Sequence, residues 1–488
     1  MSLQVEEIKN FIQNYISSKK YRYAKQGQDY YEGRHDIRNY EMYYYNGDGK
    51  LVRDTTRSNI KIPHPFQTEL VDQLVQYMLS GDEAFLTSKD EKLQAILDEH
   101  FNNNDDFLAE FEDVLTDSAS KGFGFMYAYI NKEGELAFQC ADSLKVVEVE
   151  GKYTSDGKDY VIYSYVERIN NEGKIVNKIL VFNSDYIWYY TQVDNGEIKI
   201  DESMKMNPVP NIQYKKSNDD TTYYEGLGFI PFFRLDYCKK QISSLAPVKA
   251  LIDDYDLMAC GLSNNLQDAS EYLMVVSGYG GQDLDELITS IKTKKVVGVD
   301  EGGSLDPKVV SIPYEARKIK LELDEKNIYR FGMGFNSAQM GDGNITNIVI
   351  KSRYALLDLK SNKFETRVRQ FLKKIVKVVL DKINKEEGTG YDIKDVKIKF
   401  NREVMTNASD NATIEKTEAE TKNILINMLL TLRGIIDDET IYQKFCDVLD
   451  VEYEEIKDKL PISPEDEIKK AETIVKDIVP DDEGDIVE

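Results

Sequence analysis

Three histidines, four cysteines and one close group of carboxylates are the side chains of this 488-residue sequence best suited to catalysis or metal binding. His35, His64 and His100 lie far apart and are few for a multi-histidine metal site or a catalytic triad. His64 sits between prolines in IKIPHPF, which predicts a structural turn residue. Cys140, Cys238, Cys260 and Cys446 form no CxxC pair, so they read as inert thiols of a reducing compartment, not as a disulfide frame or zinc site. Asp105, Asp106, Glu110 and Glu112 could hold Mg²⁺ in a metal-dependent nucleic-acid enzyme, although the same run suits a solvated helix face. Gly332 and Gly334 in RFGMGF make half of a dinucleotide fingerprint, with no strand–glycine–helix unit to complete it. No GxxxxGK[ST], GxSxG or HExxH occurs. No catalytic residue, metal or cofactor is expected, and the chain does not read as an enzyme.

The composition points elsewhere. Asp and Glu (87) exceed Lys and Arg (62), a formal net charge of -25 that repels phosphates, so any DNA contact must be local or the surface is one that does not hold DNA. A 41% hydrophobic content supports a sizeable core, and 32 tyrosines against one tryptophan suit half-buried surfaces between elements or subunits. No run approaches the ~20 apolar residues of a membrane span. The opening MSLQVEEIKNFIQNYISSKK lacks a basic region followed by an apolar one, so no secretory signal is expected.

The elements that would position any site follow from periodicity. Val5, Ile8, Ile12 and Tyr15 predict an N-terminal helix over 3–32, broken at Gly33. EMYYYNGDGKLVRD predicts a hairpin about an Asn-Gly/Asp-Gly turn. Phe66, Leu70, Leu74 and Met78 predict a helix ending at Gly81, and 89–121 another. Alternating runs from GFGFMYAYIN to DYIWYYTQV predict an antiparallel sheet, so the first 240 residues read as α+β. Beyond Pro247, Val248, Ile252, Tyr255, Ala259, Leu262, Leu266 and Ala269 follow a heptad seam, with Asp253, Asp254, Asp256, Asn264 and Gln267 opposite. That seam fits equally a helix packed on its own domain or one between subunits.

A strand–helix–strand insert of about forty residues comes next, too small to be stable alone. Residues 314–331 are expected to be helical. Phe335–Thr346, rich in Asn, Gly and Ser, predicts a flexible loop. A long helix follows, carrying Leu356, Leu359, Phe364, Val368, Phe371, Ile375, Val379 and Ile383. Its polar positions are basic: Lys351, Arg353, Lys360, Lys363, Arg367, Arg369, Lys373, Lys374, Lys377 and Lys382 face only Asp358, Glu365 and Asp381. A strand is expected over 396–407, then three helices at 412–432, after Asp437 and within YEEIKDKL. Residues 451–488 hold fourteen acids against five bases, and disorder is expected beyond about 464.

The order of these parts resembles the portal proteins of tailed bacteriophages infecting Gram-positive bacteria. The resemblance is carried by YYxGxHDI (Tyr30, Tyr31, Gly33, His35, Asp36, Ile37), RSNIKIPHPFQTELVDQLVQYMLSG, GFIPFFRLDY leading into the heptad helix, EKNIYRFGMGF, GDGNITNIVIKSRYALLDLK, FNREV and ETIYQKF. It implies an α+β, multi-domain portal fold. The parts would be a wing over 1–245, a stem helix over 246–270, a clip over 271–313 and a second stem helix over 314–336. A tunnel loop with its long helix would cover 337–386, a strand returning to the wing 387–407, and a helical crown with the acidic tail 408–488.

The resemblance further implies a ring of about twelve copies at one capsid vertex of the virion, assembled in the host cytoplasm, through which DNA is packaged, retained and ejected. The implied partners are further copies of the chain, the terminase large subunit, a head–tail connector, major capsid and scaffolding proteins, and double-stranded DNA passing through the channel without sequence specificity, with no membrane. Gln339, Met340, Asp342, Asn344, Thr346, Asn347 and Lys351 would face DNA from the tunnel loop. Asp283, Asp285 and Glu286 would form the clip docking surface, although acids there also suit a helix start. Ile252, Tyr255, Leu262 and Leu266 would pack the stem. The rival readings are another head–tail structural protein and the metal-dependent enzyme above.

Overall fold

A computed structural model describes residues 3–449 except 56, 132–135, 170–172, 195, 216–221, 226–227, 269–272, 278–301, 303, 309–313, 337–346, 403–407, 433–434 and 437. Its ten described α-helices are α1 (Val5–Ile16), α2 (Lys19–Tyr31), α3 (Phe66–Met78), α4 (Glu91–Leu97), α5 (Asp105–Lys121), α6 (Lys249–Asp268), α7 (Tyr314–Gly332), α8 (Asn347–Glu387), α9 (Ala408–Thr431) and α10 (Asp438–Leu449). The chain divides into two compact units, residues 1–341 with 353–403, and 342–352 with 404–488.

The α+β expectation for the N-terminal region holds. Strands 146–149, 160–169, 175–182, 186–193 and 198–200 form an antiparallel meander in that order. Because strand side chains alternate between faces, Tyr160, Ile162, Ile179, Val181 and Tyr190 pack under Leu3 and Ile8 of the first helix and its lead-in. Val161, Leu180 and Phe182 turn the other way, against Phe123 and Phe125 of a three-stranded sheet and Ala24 of α2. Both faces of the meander are therefore covered. The N-terminal helix is two helices rather than one, since Ser18 adopts an extended conformation and its hydroxyl caps Tyr21 N at 3.1 Å.

A third core joins this body to the middle of the chain: Tyr30, Leu70, Leu245, Val248, Ile252, Ile328 and Tyr329 bring α2, α3, α6 and α7 together. The long helix α8 buries Phe364, Val368, Phe371, Ile375, Val379 and Ile383 as expected. Its beginning differs. Leu356 and Leu359 are exposed, whereas Leu357, Lys360 and Ser361 are buried, because that turn faces α3 and the end of α7. The expected return strand is short, Val396–Ile398, and pairs antiparallel with Leu86–Ser88. Beyond it Arg402 binds Asp358 (2.9 Å) and Glu365 of α8. In the second unit α9 starts four residues earlier than expected and α10 buries Ile441 and Cys446. The expected helix in YEEIKDKL and the acidic tail lie outside the described residues.

Helix α2 crosses α5 at Gly27, where a Cβ would stand 2.0 Å from the Ser120 carbonyl oxygen. Gly27→Ala should therefore lower stability by about 1–3 kcal/mol despite the better helix propensity of alanine, read as a fall in the thermal unfolding midpoint.

Candidate functional site: the anchored helix pair and the root of the long helix

Residues 58–64 run extended along α6, antiparallel to it. Ser58 N donates to Asp268 Oδ1 (3.1 Å), Ile60 N to Asn264 Oδ1 (2.7 Å), Ile62 N to Cys260 Sγ (3.3 Å) and His64 N to Asp256 Oδ1 (2.9 Å). Two residues of extended chain advance about 6.6 Å and four of helix about 6.0 Å, so alternate N–H groups meet every fourth helical side chain. Pro63 falls at a register where no donor is required. Asp256 and Asn264, expected on the polar face opposite the seam, are instead 0% and 4% exposed. They are buried because they satisfy main-chain donors that would otherwise be stranded.

The first motif, YYxGxHDI, closes on the same helix. His35 Nδ1 lies 2.7 Å from Asp256 Oδ2 and its Nε2 lies 3.2 Å from the Tyr30 carbonyl, while the ring stacks on Tyr30 at 4.4 Å. His64 Nδ1 adds a contact to Asp256 Oδ1 at 2.8 Å. The Tyr30 hydroxyl donates to Asp253, and Lys249 bridges Asp36 (2.6 Å) and Asp253 (2.7 Å). Gly33, at φ 69°, makes the turn that folds His35 back. Burial pushes the Asp256 carboxyl up, but the hydrogen bonds from His35 and from His64 through ring and backbone outweigh it and hold the group below the usual range.

Of the seam residues, Ile252 is buried, Tyr255 is half-buried against His64 and Phe66 (4.9 Å each), Leu262 is half-buried and Leu266 is 57% exposed. Helix α7, helical as expected, packs antiparallel on another side of α6, with Lys320 joining Asp254 to Asp324. Gly332 and Gly334 at its end prove to be close-approach residues: a Cβ would stand 2.6 Å and 2.2 Å from Leu70 side-chain atoms. The Gly332 carbonyl accepts from Lys360 Nζ at 2.9 Å. Lys360, expected on the polar face, is thus a buried cation at a helix C-terminus, where the dipole favours it, and burial pushes it down to about 8.

Just past that point Gln73 pairs with both Phe335 N (2.9 Å) and Phe335 O (2.7 Å), and the Phe335 ring stacks on Tyr354 at 4.7 Å. The chain leaving Phe335 and the chain arriving at Tyr354 are therefore held side by side. Between them Gln339, Met340, Asp342, Asn344 and Thr346 lie outside the described residues, as do Asp283, Asp285 and Glu286. Asn347 opens α8, and Lys351 is exposed one turn on. Strands Leu273–Ser277 and Ser304–Lys308 pair antiparallel at the base of the expected insert. The carboxylates of α5 disperse: Glu110 accepts from Cys140 N (2.6 Å), Glu112 from Gln76 (2.6 Å), and Asp105 and Asp106 occupy the helix's first turn. Among the described residues no group of three or more His, Cys, Asp or Glu is placed to hold a metal.

Comparison with known proteins gives this geometry its setting. The model of a family described as phage portal protein, SPP1 Gp6-like, matches residues 12–470. The chain belongs to that family. It is 24% identical to the portal protein of Bacillus phage SPP1 over 351 residues, 71% of this chain and 67% of the relative. It is 23% identical to the portal protein of Clostridium phage phiCD119 over 402 residues, 80% and 84% of the two chains. A solved structure titled neck of an empty GTA particle computed with C6 symmetry aligns over 80% of this chain and 90% of its own, at 13% identity and a TM-score of 0.38, too low to define the fold.

The residues that pin the helix pair were only partly visible in the sequence. The available signal was an i, i+4 polar run, Asp256, Cys260, Asn264 and Asp268, opposite an alternating SNIKIPH segment. Asp256→Ala should cost about 3–5 kcal/mol, because it strands the buried His35 imidazole and takes the acceptor from the part-buried ring and N–H of His64. With its folded pKa depressed, Asp256 contributes stability above its unfolded pKa of ~4, and this contribution is lost as pH falls through the folded value. Acid unfolding curves of wild type and Asp256→Asn should converge at the low end. Lys360 works in the opposite sense. Between about 8 and its ordinary value the unfolded chain binds more protons, so stability rises with pH in that window. Lys360→Met should flatten that rise in denaturant titrations at pH 8 and 10.

Proposed function

We propose that this chain assembles into the ring through which phage DNA is packaged into the head, retained and released, at a single capsid vertex of the virion. The observation that carries the reading is the family match over residues 12–470, nearly the whole chain. The observed geometry supports the finer parts. The α6–α7 pair, fixed to the body by a polar ladder, has the rigidity a stem requires, and Ile252, Tyr255, Leu262 and Leu266 would divide between internal packing and contact with neighbouring copies. Residues 271–313 would be the clip, where Asp283, Asp285 and Glu286 meet the terminase large subunit and later the head–tail connector. Residues 1–245 would be the wing and 408–488 the crown.

Residues 337–348, which lie between Phe335 and Tyr354, are the candidate tunnel loop. Its two ends are held together, so whatever it touches is presented from one fixed root. Gln339, Asn344, Thr346 and Asn347 would exchange hydrogen bonds with phosphates or water without fixed charge, which suits passage rather than sequence readout. Lys351 would be the nearest cation. The net charge of -25 fits a channel that conducts DNA without gripping it. Negative-stain microscopy of the purified chain should show rings with a central hole. Deleting 340–345 should leave those rings intact and stop or slow DNA packaging in a reconstituted system. Rings that package at the wild-type rate after the deletion would reduce the loop to a connector.

A further inference from the structure

The hairpin formed by Tyr43–Tyr45 and Leu51–Arg53 exposes all six of its strand residues. Five are large and apolar or aromatic, with Tyr45 74% and Leu51 58% exposed. A two-stranded hairpin is marginal in water even with a buried face, and this one has none. It is nevertheless built with care. Asn46 Oδ1 accepts from Asp48 N (3.1 Å) and Lys50 N (2.9 Å), and Gly49 takes the left-handed conformation at φ 75°. At its base Glu41 binds Arg53 and Lys61 at 2.9 Å each, and Asn59 donates to the Tyr40 carbonyl at 3.3 Å. A preformed arm with an aromatic surface and, among the described residues, nothing beneath it is the form of a docking element.

A second unpartnered apolar surface lies on the same unit. Helix α7 exposes Tyr314, Ile319 (62%) and Leu323 (52%) on its N-terminal half. The two surfaces stand at one level along α6. The hairpin's base leads into Ser58 and Ile60, which meet Asp268 and Asn264, while Arg317 reaches Asn265 at 2.6 Å once that amide is oriented to accept. They occupy different sides of α6, since the ladder uses positions 256, 260, 264 and 268 and α7 meets 254 and 265. Two unlike surfaces at one height on one subunit are what a head-to-tail closed ring demands.

We propose that the hairpin docks its tyrosine and leucine side chains on the α7 ridge of a second copy of this chain. This contact rests on the ring reading above and specifies one of its lateral interfaces. Tyr supplies large contact area with few rotatable bonds, and Ile and Leu supply the aliphatic surface it covers. The inference is tested in the full-length chain with two sets of variants. Tyr44→Ser, Tyr45→Ser and Leu51→Ser together should keep the wild-type melting curve and lower the ring yield in negative stain by more than about ten-fold, the scale for loss of aromatic anchors. Tyr45→Cys with Leu323→Cys in one chain should give, on oxidation, a ladder of covalent multimers on a non-reducing gel, whereas each single variant should give none. Rings at wild-type yield from the triple variant, or a double-cysteine chain that closes only within a monomer, would overturn the hairpin contact and leave the ring reading standing. A wild-type chain that forms no ring would overturn the ring reading itself, and this contact with it.

Discussion

One buried carboxylate holds the middle of this protein to its beginning. Asp256 has no exposed surface and accepts from two imidazoles and a backbone N–H, supplied by two segments about thirty residues apart in sequence. A charge removed from water in this way is tolerated only when its lone pairs are filled. The Asp256 arrangement fills them, so the helix that carries it has one position and one rotation relative to the N-terminal body. The positions one, two and three turns along, Cys260, Asn264 and Asp268, repeat the logic with one main-chain donor each. Hydrophobic packing alone, through Val248, Ile252 and Ile328, would hold the helix but would specify its rotation poorly.

Other features follow from that constraint. Because α6 is fixed, α7 is fixed through Lys320 and the shared core. The end of α7 is then available as an anchor, and Lys360 and Gln73 use it to hold the root of α8. Glycines mark the closest approaches: Gly332 and Gly334 let Leu70 touch the backbone, a structural task that accounts for what looked like half of a nucleotide motif. The chain leaving Phe335 and the chain arriving at Tyr354 are thereby held at one rooted position.

Much of this was legible because it depends on local pattern. The hairpin at Asn46–Gly49, the helix from Phe66, the meander and the end of the second helix before Gly33 all appear where alternation, helical spacing and turn chemistry place them. The errors share one physical cause. Asp256 and Asn264 read as solvent-facing because acids and amides usually are, and only the distant 58–64 segment turns that face inward. Lys360 read as part of a basic surface because its acceptors, the carbonyls of Gly332 and Leu70, carry no side-chain signature. Leu356 and Leu359 read as core because periodicity reports a stripe without saying where along the helix its cover begins. Buried polar contacts made to distant backbone are invisible to periodicity.

The central claim is that the 58–64 segment and α6 form one cooperative element. Residue-resolved hydrogen–deuterium exchange tests it most directly. The amides of Ile60, Ile62 and His64 should be protected to the level of the α6 amides in the wild-type protein and lose that protection together in Asp256→Asn. Exchange of those three amides at exposed-loop rates in the wild type, with α6 protected, would contradict the account.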